Sequence, residues 1–216
     1  LMTRRKFDIR CYLMISRNYP KYLAFYHPGY VRLTNKDYST DDAFIKDNTV
    51  HLTNNAVQKK DDNYTTSKEF LIQTPQALAE AVEAEGNPSG AEYVRTRLDH
   101  DIKLCMVDVL KAGRPKMQRK HGYFDLLGLD FMITTDNKLI LLECNTNPSL
   151  ALSNSTLESM LPDVVDGAIE LVLGAQGPDV TGMSGDEALK EALPKGYELI
   201  FDENTGFEYS SVEGEA

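Results

Sequence analysis

Three side chains in the stretch YFDLLGLDFMITTDNKLILLECNTN, residues 123–147, have the chemistry to hold a cation: Asp130, Glu143 and Asn145. The stretch reads as a β-hairpin. Two apolar-rich runs, 124–133 and 138–144, flank the turn signal Thr135-Asp136-Asn137-Lys138. A turn centred on Asp136-Asn137 places Asp130 directly across from Glu143, with Cβ atoms roughly 5 Å apart. Strand alternation puts Asn145 on that same face. Leu127, Leu129, Phe131 and Ile133, opposite Ile140, Leu142 and Cys144, then form a face suited to burial. Two carboxylates side by side repel, and the pKa of one rises unless a cation joins them. An oxygen-only set of this kind suits Mg²⁺, which takes one or two carboxylates together with substrate phosphates. The plain alternative is an exposed hairpin with two solvated acids. Against it, acids are depleted in strands, and here both interrupt apolar runs.

Other elements must position these groups. Lys6–Ile15 alternates, with Phe7, Ile9, Cys11, Leu13 and Ile15 on one face and Lys6, Asp8, Arg10 and Tyr12 on the other. A second strand is expected at Tyr22–Tyr26, a turn at His27-Pro28-Gly29, and a third strand at Tyr30–Leu33 carrying Arg32. The result would be an antiparallel meander with a row of ionic groups, readable as a solvated ladder worth little in stability. In the segment VHLTNNAVQKK, Thr53 or Asn54 can cap a short helix. Lys59 and Lys60 read as a solvated pair that can also attract an acidic peptide. Thr74 and Pro75 open a helix that stops near Gly86. A longer helix is expected over 91–112, with Val94, Leu98, Ile102, Cys105, Met106 and Val109 on its apolar face. Two further helices, 155–161 and 163–173, are expected on either side of Pro162.

The sequences LLGLDFMI and LLECNTNPSL, with KFDIR and HLTNN upstream, resemble the tubulin-tyrosine-ligase-like family over roughly residues 4–173. That resemblance implies an α+β fold, the C-terminal domain of an ATP-grasp enzyme, with an antiparallel sheet covered by helices. It implies ATP and Mg²⁺ as cofactors, and an ATP-dependent ligase that joins an amino acid to a tubulin carboxylate through an acyl phosphate. Carried over residue by residue, Lys6, Asp8, Thr53, Asn54 and Leu142 line the nucleotide site. Arg10 and Arg32 face the amino-acid or carboxylate substrate, and Asp130, Glu143 and Asn145 hold the metal. A planar guanidinium pairs bidentately with a carboxylate, which suits the arginine roles. Burial of Leu142 in the core is an equal alternative to a place against adenine. The run NTNPSL…LESMLPDVV…ELVL looks closest to the glycine-adding, chain-elongating branch, while glutamylases and tyrosine ligase share the motifs named. The partners implied are tubulin or microtubules, through their acidic tails, and a free amino acid. The setting implied is the cytoplasm and cytoskeleton, including cilium or flagellum. A start at Leu1, almost inside a motif, reads as a fragment that lacks an N-terminal part and some of the central domain. A truncated, inactive pseudo-ligase that docks on microtubules is the rival reading.

Bulk properties narrow the classes. The net charge of −10 argues against nucleic acid as a partner. Residues 174–216 hold two Lys and ten Asp or Glu, a net of −8, so residues 1–173 carry only −2. The division expected is therefore a catalytic part, 1–173, and an acidic tail, 174–216, with a linker over 174–184, a short helix near 186–193 and a hairpin turning at 202–206. No apolar run approaches the roughly 18 residues of a membrane span. Cys11, Cys105 and Cys144 lie far apart without a C-x-x-C spacing and read as buried, reduced thiols rather than a zinc site.

Overall fold

The computed structural model describes residues 4–176 and 193–210. It is an α+β structure built on a seven-stranded sheet, and every paired strand in it is antiparallel. The strands are β1 (Arg5–Arg17), β2 (Leu23–Asp37), β3 (Ile72–Gln73), β4 (Asp125–Ile133), β5 (Leu139–Asn145), β6 (Glu198–Asp202) and β7 (Phe207–Glu208). Their order is β5-β4-β1-β2-β6-β7, with β3 added to β2. Strand β1 therefore lies between β2 and β4, and its alternating pattern decides what each sheet face carries.

One face meets helices α4 (Pro75–Ala84), α5 (Pro88–Thr96) and α6 (Leu98–Gly113). Phe7, Ile9, Cys11, Leu13 and Ile15 of β1 pack there with Leu127, Leu129, Phe131 and Ile133 of β4 and with Leu98, Ile102 and Met106 of α6. The other face is divided along its length. Tyr12 and Met14 of β1 are covered by α7 (Ser155–Gln176) through Leu157, Leu161, Val164 and Leu171. Earlier in β1 the same face carries Asp8 and Arg10, and the segment between β2 and β3 closes over it. That segment holds the short helices α1 (Asn48–His51), α2 (Asn55–Gln58) and α3 (Tyr64–Ser67).

The structure changes four sequence expectations. First, Leu23–Asp37 is one strand, and His27-Pro28-Gly29 is a bulge within it. The register steps there from Arg10 opposite Tyr30 to Tyr12 opposite His27. Gly29, at φ +63°, lets the chain pass β1, because a Cβ would sit 1.9 Å from the Arg10 carbonyl oxygen. Second, the helix expected over 91–112 is two helices that part at Arg97 (φ −119°). Third, α7 runs unbroken through Pro162. Its buried positions Leu157, Leu161, Val164, Ala168, Leu171 and Ala175 keep helical spacing across the proline, so packing outweighs one missing backbone hydrogen bond.

The fourth change concerns the β4–β5 hairpin. Its loop spans Thr134–Lys138, closed by the Thr134 N–H to the Lys138 carbonyl (3.0 Å), with Asn137 at φ +58°. Ile133 thus pairs with Leu139, one residue away from the expected register. A bulge at Leu142 then restores it, and Asp130 still faces Glu143. Between turn and bulge the apolar assignment is reversed: Leu139 and Leu141 pack on the core, while Ile140 (41% exposed) and Leu142 (46%) face outward. Cys144 stays opposite Leu129, as expected, but is exposed on the edge strand instead of buried.

Within the acidic C-terminal stretch, the hairpin turning at 202–206 is present as β6 and β7, and β6 pairs with β2. Its Ile200 and Phe201 are buried, and Glu198 and Glu208 pair with Lys103 and Lys111 of α6. The expected helix near 186–193 falls outside the described residues, except for Leu193. The linker expected over 174–184 begins as the last turn of α7, through Gln176, and continues outside them. Among the described residues, no helix is long and apolar enough to cross a membrane.

Candidate functional site

Antiparallel pairing sets the site. Asp8 on β1 pairs with Arg32 on β2, Arg10 on β1 pairs with Asp130 on β4, and Asp130 pairs with Glu143 on β5. A row of charged residues thus crosses four adjacent strands on one face, opposite in sign at Asp8–Arg32 and Arg10–Asp130 and alike at Asp130–Glu143. Because β1 lies between β2 and β4, its Asp8 and Arg10 each find an opposite charge on a neighbouring strand.

The side chains use this placement. Arg32 grips Asp8 bidentately, Nε to Oδ1 at 2.6 Å and Nη2 to Oδ2 at 2.9 Å. Arg10 grips Asp130 in the same way, from Nε to Oδ1 and from Nη2 to Oδ2 at 2.9 Å. Arg32 Nη2 also reaches Asp130 Oδ2 at 2.8 Å, which joins the two pairs into one buried chain of four charges. Asp130 is only 2% exposed. Burial acts to raise its pKa, but the Arg10 and Arg32 guanidinium groups outweigh it and hold the carboxyl below its ordinary value. The expectation of a solvated ladder is therefore overturned: Asp8, Arg10, Arg32 and Asp130 are all buried.

Thr53 reaches the row from above, and its Oγ1 donates to Asp8 Oδ2. Asn54 takes the N-cap position of α2 without making a side-chain capping bond, so its amide is left to the cleft. Lys6 donates to the Phe7 carbonyl at 3.0 Å. Burial lowers its pKa, Asp8 raises it and Arg32 lowers it, with a net fall below the ordinary lysine value. On β5, Glu143 is exposed, and Asn145 Nδ2 lies 3.1 Å from Glu143 Oε1 and 3.5 Å from Asp130 Oδ2.

Two clefts open over this row. The first, about 350 Å³, is lined by Lys6, Asp8, Thr53, Met132 and Leu142 among others. The second, about 440 Å³, is lined by Arg10, Tyr30, Lys59, Asn145, Asn147 and Ser149 among others. Arg32, Asn54 and Glu143 border both. All ten residues singled out from sequence thus lie on or beside one row. The Leu142 bulge turns that side chain into the first cleft instead of the core.

The donor chemistry for Mg²⁺ fits in part. Glu143 and the Asn145 amide oxygen stand open at the cleft border and suit an oxygen-coordinated ion. Both Asp130 oxygens are engaged by guanidinium groups, so Asp130 would ligate only after exchanging an arginine contact. Among the described residues, no group of three His, Cys, Asp or Glu gathers as a metal site.

One positioning residue was not found from sequence. Gln58, 1% exposed, donates to the Thr49 carbonyl (3.0 Å) and the Leu52 carbonyl (2.6 Å) and accepts from the Asn35 N–H (2.7 Å). It ties the loop carrying Thr53 and Asn54 to β2. A glutamine among polar neighbours reads as surface, and only its burial reveals the role.

The sequence model described as the tubulin-tyrosine ligase family matches residues 1–179. A protein of Macaca fascicularis named "Protein polyglycylase TTLL10" is 36% identical over 178 residues, covering 80% of this chain and 28% of its own length. The human protein named "Inactive polyglycylase TTLL10" is 36% identical over 176 residues, covering 80% of this chain and 26% of its own. "Probable alpha-tubulin polyglutamylase Ttll1" of Tetrahymena thermophila is 24% identical over 205 residues, covering 94% of this chain and 48% of its own. The chain thus spans between about a quarter and a half of these relatives' lengths.

Proposed function

The chain belongs to the tubulin-tyrosine ligase family, and from that premise we propose that it carries the ATP-grasp catalytic part of a ligase that adds an amino acid to glutamate side chains of tubulin tails. Glycine is the leading choice, supported by relatives at 36% identity that are named polyglycylases. A relative named a polyglutamylase keeps glutamate as the second choice. The tubulin acceptor follows from the family and from that relative's name. The setting is accordingly cytoskeletal.

The observation that carries the reading is the pairing of Asp130 with Glu143 at the border of two clefts. One cleft can take a nucleotide and the other a carboxylate and an amine. Lys6 and Leu142 stand in the first as a cation for phosphate and an apolar surface for a base. Asp8 and Thr53 fix the wall between strand and loop. Arg10 and Arg32 present guanidinium edges to the second cleft while their other edges hold the aspartates. Glu143 and Asn145 would hold Mg²⁺, with Asp130 joining when an arginine moves. Bound Mg-ATP would supply the phosphoryl group that turns an acceptor carboxylate into an acyl phosphate with release of ADP, and the amine of a free amino acid would attack the acyl carbon to form the amide and release inorganic phosphate. No side-chain nucleophile is needed.

Mass spectrometry of tubulin tails tests this, after incubation with the protein, Mg-ATP and a mixture of glycine, glutamate and tyrosine. An added glycine mass is expected. A glutamate or tyrosine mass would correct the amino acid and keep the ligase. One observation favours a second reading, binding without turnover: Asp130 is fully engaged by two arginines. No added mass, together with retained microtubule binding, would establish that reading in place of the first.

A further inference from the structure

The second cleft has a charge pattern that the row beneath it does not explain. Its wall carries three cations, Arg10, Arg32 and Lys59, and one acid, Glu143. Arg10 and Arg32 are matched by Asp130 and Asp8. Lys59 is exposed, and among the described residues it makes no ion pair or side-chain hydrogen bond. The rest of the polar lining, including Asn55, Asn147 and Ser153, is neutral. Glu143 also has no ion-pair partner among the described residues, and in the proposed ligase it belongs to the metal; with it so engaged, the cleft offers one unmatched positive charge, Lys59, beside an arginine-lined floor.

Its backbone position is fixed. The Lys59 N–H closes α2 on the Asn55 carbonyl at 2.9 Å, and the preceding Gln58 is anchored in the interior by its three hydrogen bonds. The ammonium group swings on a stem whose root does not move. At about 440 Å³ the cleft is too large for a free amino acid such as glycine to fill. It suits a ligand that brings two carboxylates at once, one to the arginine floor and one to Lys59.

We propose that Lys59 is a specificity-determining residue that receives a carboxylate of an acidic acceptor peptide, next to the glutamate being modified. The identity of that acceptor rests on the ligase reading, but the recognition itself needs no turnover. Lys60, next in sequence, lies outside the cleft wall and provides the matched control.

The test is fluorescence anisotropy with a labelled glutamate-rich peptide and its glutamine counterpart, using the full chain. Lys59→Glu should weaken binding of the glutamate peptide about tenfold, Lys59→Ala about threefold, and Lys59→Arg hardly at all. Lys60→Glu should cost less than about twofold at 0.15 M salt. The glutamine peptide should bind wild type and Lys59→Glu alike, and the thermal midpoint should not move. Equal affinity of Lys59→Glu and wild type for the glutamate peptide would overturn the proposal. So would an equal loss on the glutamine peptide, or no binding of the glutamate peptide by wild type. Lys59-dependent binding with no mass added to tubulin would leave this inference standing while the ligase reading fell.

Discussion

Strands β1, β2 and β4 and the edge strand β5 share one face and one kind of residue, yet they treat charge in opposite ways. On the inner strands Asp8, Arg10, Arg32 and Asp130 are buried and satisfy one another. On β5, Glu143 is exposed, with Leu142 and Ile140 nearly half exposed beside it. The physical reason is the cost of taking an ion out of water, which a buried group must offset with a partner of its own. An edge residue faces no such demand. The inner row is a frame whose bonds are already made, and the groups with unused bonding capacity lie on β5 and the loops. Ligand chemistry belongs at that border.

The sharpest way to break this contrast is Asp130→Ala. Taken as an exposed metal ligand on a hairpin, Asp130 could be removed without harm to the fold. Buried between two arginines, its removal should cost about 3–5 kcal/mol in urea unfolding, because Arg10 loses its partner inside the fold and Arg32 loses one of its two. A wild-type midpoint would show that the frame does not hold the sheet. The next effect is pH. Burial holds the His27 imidazole down to about 4, with Asp163 pulling weakly the other way. The unfolded chain, at about 6.5, binds more protons in that interval, so stability is lost as pH falls from about 6.5 to 4, by roughly 3 kcal/mol. Unfolding at pH 7 and pH 4.5 measures it, and His27→Gln should flatten the slope. Gly29→Ala comes third, at about 2–3 kcal/mol, from a left-handed φ and a clash with the Arg10 carbonyl. On the edge the expectation reverses. Glu143→Gln should leave stability within about 0.5 kcal/mol while abolishing the ligase activity proposed above. A stability loss above about 1 kcal/mol would place Glu143 in the frame and dissolve the distinction.

What could be read from sequence was local. The alternation of β1 put Asp8 and Arg10 opposite Phe7 and Ile9, and the Thr74-Pro75 start of α4 is seen in the Thr74 Oγ1 bond to the Ala77 N–H at 3.2 Å. The facing of Asp130 and Glu143 was legible only because a longer turn and a bulge at Leu142 compensate for each other. The same bulge made Leu142 unreadable, and the exposure of Cys144 comes from its place on the edge strand. The arginine–aspartate chain was not legible either, since nothing local says that KFDIR lies between the strands carrying Arg32 and Asp130. Continuity of α7 through Pro162 and the break at Arg97 are decided by packing across the sheet, which propensity does not see.

The neutral chain of Arg10, Asp130, Arg32 and Asp8 has a consequence for how sequences of this fold can diverge. Changing one member strands a buried charge, whereas changing a pair together keeps the interior balanced. Across related chains Asp8 and Arg32 should be exchanged or lost jointly, as should Arg10 and Asp130, while Glu143 varies without regard to either pair. A lineage that drops the chemistry is then free to lose Glu143 first and the four inner residues last, so a relative can retire as an enzyme and still keep its shape.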